Sequence, residues 1–119
     1  MSLLSMILST LVALEFFYIM YLESIATTSE ATGRVFNMAQ EELKRESVTA
    51  LFKNQGIYNG LIGIGLLYAN FFSSASMEIN RLILIYIILV ALYGSFTSNK
   101  KIILTQGGLA ILALISTFF

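Results

Sequence analysis

The chain has 119 residues, 57% of them hydrophobic and 12% charged, with a mean hydropathy of +0.82, which is far more apolar than the roughly 45–50% of an average soluble domain. Its seven basic and seven acidic residues cancel, so neither net charge nor a basic run recommends nucleic acid as a partner. Cys, His, Trp, Pro and Asp are absent, which excludes disulfides, thiol nucleophiles, imidazole triads and zinc or haem ligation through Cys or His, and leaves proton chemistry to Glu, Tyr and Lys with no cofactor or metal implied.

Four apolar spans follow one another, near residues 3–22, 56–72, 82–97 and 102–119. A helix of about 20 residues covers the roughly 30 Å of a bilayer core, and shorter spans extend into flanks from which Lys53 and Arg81 can snorkel. The expected fold class is therefore all-α, an integral membrane bundle of four antiparallel transmembrane helices forming a single domain over residues 1–119. The absence of proline predicts uninterrupted helices. The amino terminus is apolar from Leu3 without a basic leader, and reads as a retained helix in place of a signal peptide.

The first span carries Glu15, Tyr18, Tyr21 and, at its end, Glu23. The polar segment 23–50 follows. Its second half, Gln40 to Ala50, reads as helical, with Asn37 and Gln40 spaced as a capping box and Glu41 four residues before Arg45. Next comes Lys53-Asn54-Gln55-Gly56-Ile57-Tyr58-Asn59-Gly60, which opens the second span with polar residues that a lipid-facing segment should not contain. Gly56, Gly60 and Gly63 form a small-residue stripe that lets another helix approach closely. The links at Ser73–Asn80 and Ser98–Lys101 are short, as antiparallel neighbours require.

Counting Lys and Arg fixes an expected orientation. Arg34, Lys44, Arg45, Lys53, Lys100 and Lys101 follow spans one and three, against Arg81 alone on the other side. This six-to-one asymmetry places segment 23–50 in the cytoplasm and both termini outside a cell membrane crossed several times. At about 1.5 Å per residue, Glu15, Asn59, Tyr93 and Gln106 then fall roughly 6–12 Å inside the cytoplasmic boundary. The residues expected to bind a ligand or proton are Glu15, Tyr18, Asn54, Gln55, Tyr58, Asn59 and Gln106, with Glu23 and Tyr93 as secondary candidates. No catalytic residue stands out, because no nucleophile has an adjacent base.

Each candidate also has a structural explanation. A charged Glu at mid-span costs about 2.5–3.5 kcal/mol on insertion scales, so Glu15 is expected to be protonated, hydrated or paired inside the bundle, with Tyr or amide hydrogen bonds as partners. Glu23 lies near the interface, where solvation or pairing with Lys53 or Lys100 explains it. Asn54, Gln55, Asn59 and Gln106 can serve as interhelical glue worth about 0.6 kcal/mol per bond, and Tyr21 and Tyr93 as belt residues.

Taken together, Ala13-Leu14-Glu15 with Tyr18, Tyr21-Leu22-Glu23, Gly33-Arg34-x-Phe36, Asn54-Gln55-Gly56-x-Tyr58-Asn59-Gly60, Tyr93-Gly94 and Gln106-Gly107 resemble a family of small four-helix membrane proteins catalogued as domain of unknown function 1304. The resemblance covers nearly the whole chain, and the Asn-Gln-Gly-x-Tyr-Asn-Gly run is its most specific part. Many members carry His directly after the first Glu, where this chain has Phe16. The resemblance implies four spans and no activity.

Three functions of different classes follow. The first is a small transporter or binder of a small cationic or amphipathic molecule, with Glu15 as proton or cation acceptor, a layout similar to small multidrug-resistance exporters. The second is an oligomeric membrane enzyme acting on a lipophilic substrate, with Arg34, Asn54 and Asn59 at its mouth, similar in plan to membrane-bound glutathione and eicosanoid enzymes. The third is a non-catalytic receptor or scaffold subunit in which Glu15 and the amides only fix helix register. The expected partners are the lipid bilayer, an unknown small molecule and further copies of the chain, since four short helices enclose little volume.

Overall fold

The computed structural model describes residues 1–98 and 102–119, with Ile102 described by its backbone alone. Lys100 and Lys101, two of the six residues in the orientation count, lie outside the described residues, and so does Lys100 as a partner for Glu23. Among the described residues all regular structure is helical: α1 (Leu3–Met20), continued by a π-helical turn (Tyr21–Ile25), α2 (Glu30–Phe36), α3 (Gln40–Leu43), α4 (Glu46–Phe71), α5 (Ser76–Thr97), α6 (Ile102–Thr105) and α7 (Gly108–Ser116). Two stretches are long and apolar enough to cross a membrane, Leu3–Ile25 with a mean hydropathy of 2.0 and Ser76–Thr97 with 1.9. The chain divides into two compact units, Met1–Leu14 with Ile64–Phe119, and Glu15–Gly63, and α1 and α4 each contribute to both.

The first unit is held by small apolar residues and by neutral polar side chains. Val12, Ala13, Leu66, Ala69, Leu84, Ile87, Ala91, Ala110 and Ala113 are buried. Gly107 sits so close to α5 that a Cβ there would lie 3.3 Å from the Cβ of Ala91. Polar ties cross the same interior: Ser5 Oγ meets Ser116 Oγ at 2.8 Å, joining α1 to α7, and Asn70 on α4 reaches Ser9 and Thr10 on α1 at 2.8 and 3.1 Å. At its rim, Arg81 donates through Nε to Thr117 Oγ1 at 3.1 Å and through Nη2 to Thr117 O at 2.7 Å, and lies 4.1 Å from the centre of the Phe118 ring. A guanidinium on the final carbonyls suits the carboxyl end of α7, where unpaired C=O groups and the helix dipole favour a cation.

The fourth apolar stretch is not one uninterrupted helix. It breaks at Gln106–Gly107 between α6 and α7, because Gly107 and Gly108 adjoin there and each Gly lowers helix propensity by about 0.8–1.0 kcal/mol relative to Ala. Ser95 on α5 supports the start of α6 by accepting from Ile103 N at 2.8 Å.

In the second unit, α2 begins where Ser29 accepts from Thr32 N at 3.2 Å and Glu30 occupies the first turn, as N-cap chemistry and the dipole require. It ends at Asn37, the single residue with positive φ among those described (φ 55°). Asn37 is therefore a left-handed carboxyl cap of α2, not the start of a capping box. The residue preceding α3 is Ala39, and the Gln40 amide instead reaches Thr28 O at 3.1 Å. Arg45 likewise pairs with Glu42 at 3.2 Å, and not with Glu41, because α3 ends at Leu43 and the chain no longer keeps an i, i+4 register. Phe36 and Phe52 meet edge to face at 5.2 Å and 82°, which fastens α2 to α4.

The buried stripe of α4 includes Gly56, Gly60, Gly63 and Leu66. A Cβ at Gly56 would overlap Ser24 Oγ, and one at Gly60 would overlap Met20 Sδ. Gly56→Val should lower stability by roughly 1–3 kcal/mol through overpacking, whereas Gly108→Ala, where a Cβ meets nothing within 4 Å, should be neutral or stabilising by up to about 1 kcal/mol. Thermal unfolding in detergent checks both, and equal melting of Gly56→Val and the wild type would contradict the close approach. Asn37→Val should cost about 1–2 kcal/mol and Asn37→Gly almost nothing, since only the β-branched residue resists positive φ.

Candidate functional site

The most specific polar arrangement in the second unit centres on Glu23. Beyond Met20 the first helix widens into the π-turn, closed by Ala26 N donating to Tyr21 O at 2.8 Å. Such turns are rare and are found frequently at functional sites. The carbonyls at its end are taken up locally: Thr27 Oγ1 donates to Glu23 O at 2.7 Å, and Thr32 Oγ1 lies 3.0 Å from Leu22 O and 2.7 Å from Ala26 O. Thr27 and Thr32 are themselves buried, so these hydroxyls replace water as partners of the turn.

Within the turn the Glu23 side chain faces the interior, where it is 1% exposed. Asn59 Nδ2 donates to Glu23 Oε1 at 2.5 Å, and Gln55, one helical turn earlier on α4, lies on the same side of the carboxyl group and favours its charged form. Lys53 does not join them. Its Nζ donates to Ser24 O at 3.3 Å while Ser24 Oγ donates to Lys53 O at 2.8 Å. The ion pairs among the described residues are Arg34–Glu30 and Arg45–Glu42, so Glu23 is a buried carboxyl group with neutral amide donors and no cation beside it. This corrects the expectation of solvation or of pairing with Lys53: Glu23 lies four residues after Ile19 and seven after Phe16, so it continues the buried face of the first helix.

Glu15 is half-buried, and its Oε1 has no hydrogen-bond partner among the described residues, so the expected Tyr or amide bond is not formed. Tyr18 and Tyr58 are 54% and 73% exposed. They share neither the Glu23 hydrogen bonds nor the buried faces of their helices, because each lies two residues, about 200°, from a buried neighbour, Phe16 and Gly56. Asn54 and Gln55 are exposed and Asn59 is half-buried. Of the α4 run, the amides of Gln55 and Asn59 reach Glu23, and Gly56 and Gly60 provide the close approach. Gln106, half-buried in the turn before α7, and the exposed Tyr93 belong to the first unit.

An open groove of about 540 Å³ borders α2 and α3, lined by residues that include Glu30, Arg34, Asn37 and Gln40. Its ion pair, Arg34–Glu30 at 3.9 Å, is largely exposed, and such a pair contributes at most about 1 kcal/mol. The groove therefore lacks the preorganised polar chemistry that surrounds Glu23. Among the described residues no group of His, Cys, Asp or Glu could hold a metal ion.

Polar residues that sequence reasoning did not single out include Asn70 and Asn80, which bond each other, and Ser9, which bonds Asn70. Ser9, Asn70 and Asn80 are 1%, 8% and 0% exposed. Asn70 lies near the end of its span and Asn80 in the link before the next, and the available signal was Ser9 lying within a span beside Thr10.

The model of the family described as protein of unknown function (DUF1304) matches residues 10–118. The chain is also 78% identical, over its full 119 residues and the full length of the relative, to the uncharacterized protein YpaA of Lactococcus lactis subsp. lactis (strain IL1403). No solved structure matches. With all but its first nine residues and its last covered by the family model, the chain belongs to the DUF1304 family.

Proposed function

We propose that the protein is an integral membrane protein of four spans that binds a small cationic or amphipathic molecule through Glu23, with Asn59 and Gln55 positioning its carboxyl group. The observation that carries this reading is the burial of Glu23 beside two neutral amides with no cationic side chain among the described residues. A carboxylate removed from water is costly unless a proton or a cation compensates it, and amides provide hydrogen bonds but no charge. The compensating charge therefore comes with the ligand, as a proton or as the cationic group of a small molecule. Glu15, a further intramembrane acid in the same unit with an unpartnered oxygen, is the second acceptor in this reading.

Span one is Leu3–Ile25 and span three is α5, both apolar enough to cross. Spans two and four are the apolar part of α4 and the α6–α7 segment. Segment 23–50 faces the cytoplasm, both termini lie outside a cell membrane, and copies of the chain associate to enclose the ligand.

Because the chain contains no Cys, single-cysteine accessibility tests the topology cleanly. Ser2→Cys should react with an impermeant thiol reagent in intact cells, and Glu41→Cys only after permeabilisation; the opposite pattern would invert the orientation. For the site, tetraphenylphosphonium binding to protein in nanodiscs should weaken roughly tenfold or more, about 1.4 kcal/mol, in Glu23→Gln. Tyr58→Phe, on the exposed face, should bind as the wild type does. Undiminished affinity in a folded Glu23→Gln would remove Glu23 from the reading.

A further inference from the structure

In the first unit a second polar centre ends on an acceptor with nothing to accept. Asn80 lies in the second turn of α5 and is 0% exposed. Its Nδ2 donates to Asn70 Oδ1 at 2.8 Å and to Ser76 O at 2.9 Å. Both partners are acceptors, so the amide cannot be reversed: turning it over would set oxygen against oxygen twice. The remaining links agree with that sense. Asn70 spends its two N–H groups on Ser9 Oγ and Thr10 Oγ1, while its Oδ1 accepts from Asn80 and lies 3.0 Å from Ser9 Oγ. Donation therefore runs from Asn80 through Asn70 to α1, which leaves Asn80 Oδ1 buried without a partner among the described residues.

A buried amide oxygen of this kind is stable only when something donates to it. The neighbouring cation, Arg81, is committed to Thr117 and Phe118. The groups bonded to Asn80 are a neutral amide and a backbone carbonyl, which offer no charge to hold an ion, and complete burial of the residue favours the smallest donor. We propose that Asn80 Oδ1 is the binding site for one sequestered water molecule, which caps the α5 end of the hydrogen-bonded relay that joins α1, α4 and α5. Buried waters are found where otherwise unsatisfied polar groups converge in this way.

A structure of the full wild-type chain in lipid, at a resolution that shows ordered waters, tests the assignment without any variant. The expected result is a single water-sized density about 2.6–3.2 Å from Asn80 Oδ1. The proposal is overturned by a protein donor occupying that position, by the absence of density there, or by density larger than a water. In a second readout, the Asn80 side-chain amide protons of ¹⁵N-labelled protein in nanodiscs should show cross-relaxation with a slowly exchanging water. Loss of that signal in protein whose Asn70 and Asn80 amides are otherwise resolved would contradict the proposal.

Discussion

The hydrogen bond from Asn59 to the buried Glu23 is the interaction on which the rest of the second unit depends. A carboxyl group in apolar surroundings needs donors, and each neighbouring feature helps to supply them. Glu23 continues the buried face of Phe16 and Ile19, and Thr27 and Thr32 occupy the carbonyls at the end of the π-turn. Gly56 and Gly60 let α4 lie directly on Ser24 and Met20, which is close enough for Asn59 to reach across. A methyl group at either glycine would hold the helices apart and lengthen that bond. Backbone irregularity, small residues and polar side chains thus serve one geometric end.

The first unit meets the same physical problem with neutral chemistry. Its helices are joined by Ser5–Ser116 and by the relay through Ser9, Asn70 and Asn80, while alanines and Gly107 bring α5 and α7 together. Close helix approach and side-chain hydrogen bonds act together there, and the buried Ser and Asn side chains supply those bonds. The two polar centres differ in character: one holds an acid without a counter-charge among the described residues, and the other is built from neutral side chains.

Much of this organisation is legible in the residues. Helical structure follows from the four apolar stretches, and the glycines at 56 and 60 announce a close helix approach by their spacing. The polar run from Asn54 to Asn59 marks the helix that supplies the amides. The face of each side chain is less accessible to sequence reasoning. Helical spacing groups Glu15 with Tyr18 and equally groups Glu23 with Phe16 and Ile19, and only the structure shows that the second of these faces is the buried one. No residue pattern in Tyr-Leu-Glu-Ser-Ile signals the π-turn, whose Ser24 meets Lys53 and Gly56 far along the chain. Asn37 invites a capping-box reading because Asn is favoured both before a helix and in the left-handed residue after one. Asn70 and Asn80 escape notice because depth along a span, counted from its ends, places them at an interface, whereas tertiary packing buries them.

The central claim is that the buried carboxyl group of Glu23 receives the ligand's positive charge. Infrared difference spectroscopy on ¹³C-Glu-labelled protein in lipid, with and without tetraphenylphosphonium, tests it directly. A carboxyl band should change on binding, persist in Glu15→Gln and vanish in Glu23→Gln. A binding-induced carboxyl difference that is the same in Glu23→Gln as in the wild type, or ligand binding that leaves every carboxyl band unmoved, would contradict the account.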